Sequence, residues 1–322
     1  MIGVLLVNLG TPDAPNTAAV RTYLAEFLSD PRVIEIPRFL WQPILRGFIL
    51  RTRPAKSARA YREVWTDEGS PLAAITKRQA VKLGERLGDA AIVEMAMRYG
   101  NPSIGRGLSR LIDAGCDRVL FAPLYPQSCA ATTASANDGL FAQLGAMRYQ
   151  PAVRTLPPYF SDPLYIDALR TNLERQLGAL DFEPQRLLLS FHGMPERTRQ
   201  LGDPYYDQCM ETARLLGGAL GRETDIAFQS RFGPAKWLEP ATDATLADYP
   251  GKSIERIAIA APGFSADCLE TLEELGIRGR DSFLFAGGTH FARLDCLNDS
   301  PEGMTMLEQL VARELEGWRA AT

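Results

Sequence analysis

Histidine is nearly missing from this chain. Its 322 residues contain two, His192 and His290, so any imidazole chemistry is confined to those positions. Cysteine is scarce as well. Cys116, Cys129, Cys209, Cys268 and Cys296 are widely spaced, with no CxxC pair and no metal-finger spacing. That argues against a disulfide framework and for reduced thiols in a reducing compartment. Positive charge is not in excess either: 35 Lys and Arg against 39 Asp and Glu give a net charge of -4. No global basic field draws nucleic acid, and an acidic ligand must be met by local arginines and backbone donors. The opening stretch MIGVLLVNLGTPDAP has no basic n-region, and its apolar run is far too short to span a bilayer. It reads as a first strand, and the expected location is the cytoplasm. Two nucleotide signatures are absent. No GK[ST] follows a glycine-rich loop, and GNPSIGRG is not a GxGxxG fingerprint.

What is present is one repeated sentence: a short apolar run, a loop rich in Gly, Pro or Ser, then a helical pattern. It occurs in GVLLVNLGTPDAP before TAAVRTYLAEFL, in AIVEMAMRYGNPS before IGRGLSRLIDAG, and in RVLFAPLYPQSCAATTAS before ANDGLFAQL. The second half repeats it in RLLLSFHGMPER before YDQCMETARLLGGAL and in RIAIAAPGFSAD before CLETLEELG. Apolar runs of this length alternating with helices indicate parallel strands covered on both faces. The fold class is therefore α/β, doubly wound, with parallel sheets. The proline-rich stretch at 150–163 marks a crossing between two lobes, 1–152 and 153–298. A closing helix within 299–322, apolar at 304, 307, 310, 311 and 315, is expected to return to the first lobe. In such sheets ligands bind outside the carboxyl ends of the strands, and between two lobes the cleft is the default site.

His192 closes the run RLLLSFH and precedes a Gly-Met-Pro turn, which places an imidazole at a strand's carboxyl end. A satisfied histidine that merely ends a strand is the plain alternative. A neutral ring there accepts a proton or ligates a metal. In SADCLETLEELG, Glu270 and Glu274 are four apart and share a helix face, with Glu273 beside it. Two readings carry equal weight. Asp267 and Glu270 have capping-box spacing, which makes Glu270 a helix-start device. Otherwise the carboxylates form a ladder that takes protons or leads in a hard cation. Loops in NLGTPDAP and YPQSCAATTAS suit anion binding at helix N-termini. Cys129 and Cys268 are more simply small buried hydrophobes, and His290, at another strand end, reads as structural.

One stretch breaks the rhythm. Residues 31–54, PRVIEIPRFLWQPILRGFILRTRP, are apolar but interrupted by proline and arginine. The segment is either a helix pair buried against the core or an exposed apolar lip. As a lip it would meet a greasy ligand or membrane surface and turn Arg46, Arg51 and Arg53 toward anionic groups.

Taken together, SFHGMPER, QSRFGPAKWLEPATD, PGFSADCLETLEEL, EFLSDPRVIEIP, MRYGNPSI and CLNDSP resemble the ferrochelatase family, in order, over about residues 3–315. The resemblance implies two Rossmann-like lobes, a chelatase-like fold, with porphyrin in the cleft between them and a C-terminal helix returning to the first. It implies an enzyme, a lyase that inserts ferrous iron into protoporphyrin IX to form protohaem at the end of haem biosynthesis, releasing two protons. Coproporphyrin III and other tetrapyrroles stay open as alternatives, and a non-catalytic porphyrin carrier is disfavoured by the glutamates. By the same resemblance, His192 and Glu270 are the catalytic pair, and His192, Glu270 and Glu274 meet the metal. Leu9, Tyr61, Arg62, Tyr125 and Ser128 are implied porphyrin contacts, and 31–54 is the family's lip, with peripheral membrane contact. Where many relatives carry a histidine two residues before the site glutamate, this chain has Cys268. Iron is a substrate here and no resident cofactor is implied. No cysteine follows Cys296, so a C-terminal [2Fe–2S] cluster is not expected.

Overall fold

The apolar runs become strands, most of them buried along almost their whole length. The computed structural model describes residues 1–231 and 233–318. In it β1 (Ile2–Thr11) lies between β2 (Ile92–Gly100) and β3 (Arg118–Pro123), with β4 (Ala152–Thr155) outside β3. All of these pairs are parallel. A second sheet repeats the arrangement in the order β6-β5-β7-β8, again parallel, from β5 (Arg186–His192), β6 (Thr224–Gln229), β7 (Arg256–Ala260) and β8 (His290–Arg293). The α/β class read from the sequence is the observed one. Beyond the runs named above, the structure adds β4, β6 and β8. Each is a sheet edge, and an edge strand need not be apolar on both faces, so AVRT, TDIAFQ and HFAR carry no continuous apolar run.

The chain divides into two compact units. The first comprises Met1–Tyr125, Cys129–Pro157 and the chain from Leu307 on; the second comprises Pro126–Ser128 and Pro158–Met306. In the first, Leu5, Val7, Leu108, Val119, Phe121 and Leu140 make a core under the sheet. In the second, Leu188, Ile257, Ile259, Leu275 and Phe283 do the same. The closing helix runs Pro301–Glu314, and Met304, Leu307, Leu310, Val311 and Leu315 are all buried. The last four positions of the expected 299–322 helix lie outside the described residues. Beyond it, backbone carbonyls of the closing segment are gathered by arginines of the first sheet. Arg154 Nη1 donates to Glu314 O at 2.7 Å and Glu316 O at 2.9 Å, and its guanidinium lies 4.2 Å from the Trp318 ring centre. Arg118 Nη1 donates to Trp318 O at 2.7 Å.

The 31–54 segment has one face buried against the core and one face open. It forms a helix at Arg38–Ile44, a π-helix at Leu45–Ile49, and the start of a helix at Leu50–Val64. Trp41, Leu45 and Leu50 are buried, and Trp41 Nε1 donates to Leu28 O at 2.6 Å. The other face is open: Phe39 is 77% and Phe48 63% exposed, with Ile36, Leu40 and Ile44 beside them in sequence. Among the described residues, no helix is long and apolar enough to cross a membrane.

Asp30 anchors the start of this segment. Its Oδ2 accepts from Arg98 Nη2 (2.6 Å), Tyr99 OH (2.7 Å) and Ser135 Oγ (2.6 Å), and Oδ1 accepts from Arg32 N (2.7 Å). Burial pushes the carboxyl up. The hydrogen bonds from Ser135, Arg32 and Tyr99, with the Arg98 charge, outweigh it and hold the group below its ordinary value. A depressed folded value stabilises the fold above the unfolded carboxyl's pKa of about 3.9, and that share is lost as pH falls through the folded value. Asp30→Asn is therefore expected to melt lower at neutral pH and to lose less further stability below about pH 5 than the parent does. Melting curves of the two chains across that range test this, and parallel pH slopes would refute it.

Candidate active site

The strand-end loops of the second unit hold His192, Glu270 and Glu274. His192 is the last residue of β5, half-buried, and its partner across the ladder is Gln229, the last residue of β6. The turn after it is held by two further segments. Gly193 N donates to Gln229 O at 2.7 Å, Leu238 N to Met194 O at 2.9 Å, and Glu196 N to Lys236 O at 2.9 Å. The imidazole is oriented by its own neighbour: Nδ1 lies 2.7 Å from Gly193 O. A carbonyl only accepts, so in the neutral ring the proton sits on Nδ1 and Nε2 presents its lone pair. That nitrogen is free to take a proton or a metal ion.

After β7 the chain turns through 261–269 into a π-helix, Glu270–Gly279, a geometry that recurs at functional sites. The capping-box reading of Glu270 does not hold. Asp267 N donates to Asn298 Oδ1 at 2.7 Å, and the side chain meeting Asp267 from the helix start is Thr271, whose Oγ1 donates to Asp267 Oδ1 at 2.7 Å. Glu270 is thereby released from the cap. Its neighbour Cys268 is buried; burial first, then the Glu270 carboxylate beside it, raises the thiol well above its ordinary pKa. Cys268 thus stays S–H beside the Glu270 carboxylate.

Glu274 is engaged differently. Its carboxylate accepts from Ser230 N at 2.8 Å and from Ser230 Oγ, with Arg278 Nη2 at 3.9 Å. Ser230 adopts a φ of 65°, a left-handed conformation uncommon outside glycine. Glu273 turns aside to Arg278 Nε at 2.9 Å. Among the described residues, no three His, Cys, Asp or Glu side chains gather as a closed metal site.

The structure also shows what local spacing could not. Asp267, 4% exposed, accepts from Arg293 Nη1 (2.9 Å), Asn298 Nδ2 (2.6 Å) and Cys296 N (3.3 Å) besides Thr271, so the π-helix begins on a buried ion pair. Gln229 and Ser190 link β5 and β6 to the π-helix. Neither link had a sequence signal beyond the family-like string that begins QSRFG.

In the first unit, Leu9 and Tyr125 pack on the same core cluster, at the carboxyl end of β1 and just beyond that of β3. Tyr61 and Arg62 are on the Leu50–Val64 helix. Tyr61 is buried edge-on to Trp65 (6.0 Å), and Arg62 Nη1 donates to Pro15 O (3.2 Å) in the loop after β1. Ser128 groups with the second unit, where its N–H donates to Gln208 Oε1 at 2.7 Å. His290 sits at the opening of β8, the amino end of that strand, exposed and tilted against Phe182 (5.1 Å). It is at the wrong end of the sheet to join His192.

Comparison with known proteins adds three findings. The family model described as Ferrochelatase matches residues 1–315. A protein of Rhizobium meliloti named ferrochelatase is 52% identical over 324 residues, covering 98% of this chain and 96% of that one. One of Mesorhizobium japonicum, also so named, is 50% identical over 98% of this chain and 92% of its own. Among solved structures, SirB from Bacillus subtilis with Fe3+ is 12% identical with a TM-score of 0.57, covering 98% of this chain and 96% of that chain. CbiX, the terminal enzyme for biosynthesis of sirohaem in denitrifying bacteria, is 17% identical with a TM-score of 0.54, covering 98% and 100%. At such identities these two establish the fold alone.

Proposed function

This chain belongs to the ferrochelatase family, and from that premise we propose that it inserts ferrous iron into protoporphyrin IX, forming protohaem and releasing two protons. The observation that carries the reading is about half identity to named ferrochelatases over 98% of the chain, in line with the family match over residues 1–315. The reaction exchanges two pyrrole N–H protons for Fe²⁺, with no net transfer of electrons. Acceptors for those protons are what it asks of the protein.

His192 is the proposed first acceptor, because its Nε2 lone pair is held ready by the Nδ1–Gly193 contact. Glu270 is the second, released from capping and served by the Cys268 thiol. Both are also proposed to meet the iron. Glu274 is proposed as a station toward it, after giving up one of its Ser230 contacts. Leu9, Tyr61, Arg62, Tyr125 and Ser128 are proposed porphyrin contacts. Since the exchange is redox-neutral, neither a resident cofactor nor a [2Fe–2S] cluster is proposed. A cytoplasmic enzyme fits five buried cysteines, with no disulfide among the described residues.

The test is an anaerobic assay of Fe²⁺ insertion with protoporphyrin IX and coproporphyrin III side by side. Turnover with the first at the higher kcat/KM is expected; preference for the second reassigns the substrate, and failure with both overturns the reading.

The open face of 36–48 is proposed as a peripheral membrane contact, since Arg38, Arg46 and Arg51 are exposed beside its apolar side chains. Replacing Phe39 and Phe48 together by serine is expected to weaken sedimentation with anionic vesicles about tenfold or more. Unchanged partitioning would remove this surface from consideration.

A further inference from the structure

Gln229 opens the QSRFGPAKWLEPATD string but has no role assigned to it above, yet it joins both proposed proton acceptors. We propose that Gln229 is the positioning residue that holds the Glu270 end of the π-helix at a fixed distance from His192. This rests on the ferrochelatase reading of those two residues.

The side chain is 3% exposed and fully engaged. Its Nε2 donates to Glu270 O at 2.9 Å, and its Oε1 accepts from Ser190 Oγ at 2.9 Å. Because a backbone carbonyl cannot donate, the amide nitrogen must face Glu270, and the oxygen is then left for Ser190. Ser190 Oγ lies 2.8 Å from Thr242 Oγ1, which completes the chain of bonds. The backbone of the same residue holds the other acceptor. Gln229 pairs with His192 across the ladder, and its carbonyl takes the Gly193 N–H at 2.7 Å. The approach there is close. A Cβ added at Gly193 would stand 2.5 Å from that carbonyl oxygen, so the turn after His192 has no room to drift from β6. One residue on, Ser230 binds Glu274. The end of β6 therefore fixes the histidine turn through the Gln229 backbone, and the first turns of the π-helix through the Gln229 side chain and the N–H and hydroxyl of Ser230.

Gln229 acts through others and is not itself proposed to touch porphyrin. The consequence is a matter of placement, since displacement of a reacting group by about 1 Å costs on the order of 10²-fold in rate. A buried glutamine with a merely structural role contributes to stability and leaves the kinetics of the folded fraction alone.

The experiment uses the full chain and Zn²⁺ insertion into protoporphyrin IX. Gln229→Met, of similar length with neither donor nor acceptor, is expected to lower kcat by roughly 10- to 100-fold and to leave porphyrin KM within about 2-fold. The deciding measurement is a double-mutant cycle with Glu270→Gln. In that background Gln229→Met is expected to cost less than about 2-fold more, because the group it positions is already gone. The same fall in both backgrounds, or an unchanged kcat in the single variant, would overturn the proposal. Should Gln229→Met fail to fold, Ser190→Ala, which frees Oε1 and leaves the bond to Glu270, carries the same cycle with a smaller expected fall. A parent chain that inserts neither zinc nor iron would instead count against the family-based reading.

Discussion

Replacing His192 by alanine is expected to lower the kcat for metal insertion by roughly 10²- to 10⁴-fold, the range a positioned general base contributes, while porphyrin binding changes little. The expectation rests on one contact. With Nδ1 committed to Gly193 O at 2.7 Å, the ring cannot rotate freely or choose its tautomer, so Nε2 is the nitrogen on offer. Alanine removes that acceptor and leaves β5 intact, because the strand's ladder bonds to β6 and β7 are made by backbone. Porphyrin titration by fluorescence separates binding from turnover, and added imidazole is expected to restore part of the rate by occupying the vacated space. Near-parental turnover in the variant would remove His192 from the chemistry.

The second large effect is one of stability. Asp267→Ala is expected to cost about 3–5 kcal/mol, the usual penalty for removing one partner of a buried ion pair. In a protein of two units of this size that is a fall in Tm of roughly 6–20 °C. Arg293 would keep its charge inside the protein with Asp295, more exposed, as its remaining carboxylate. Asn298, Thr271 and the Cys296 N–H would each lose an acceptor. The damage is directional. The Arg293 stem also packs under the π-helix, where a Cβ on Gly276 would come within 2.9 Å of its Cδ, so the pair supports the helix at its start and along its length. Exchanging both members for apolar residues, Asp267→Leu with Arg293→Met, is expected to recover much of the loss, since no unpaired charge remains. Thermal unfolding of the parent and both variants decides it: a shift of less than about 2 °C for Asp267→Ala would mean that the pair is not what secures this end of the helix.

How much of this was readable in advance follows burial and sequence distance. β1, β5 and β7 announce themselves because both faces are covered, so VLLV, LLLSF and IAIA are continuous apolar runs. β4, β6 and β8 do not, being edges with one side less covered. His192 stood out because imidazole is rare here and follows such a run. Glu270 was ambiguous for a physical reason: four-residue spacing serves a cap and a carboxylate ladder equally well. What resolves it is Asn298, 31 residues from Asp267, which takes the backbone N–H a capping glutamate would have claimed. Contacts that distant leave no periodic trace. The π-helical winding of Glu270–Gly279 leaves none either, and Gln229 was hidden because it ends an edge strand.

The return of the chain from Leu307 on to the first unit has a consequence for the order of events on the ribosome. The second unit, from Pro158 to Met306, has nearly all its residues in one continuous stretch and has everything it needs once that stretch emerges. The first unit, although made earlier, lacks Leu307, Leu310, Val311 and Leu315 and the carbonyls that Arg154 and Arg118 collect. At about 5–20 residues per second, its sheet waits many seconds with that apolar surface uncovered. The later-made half is therefore expected to become protease-resistant first, and pulse proteolysis of arrested nascent chains would show the order reversed if the first unit closes without its last helix.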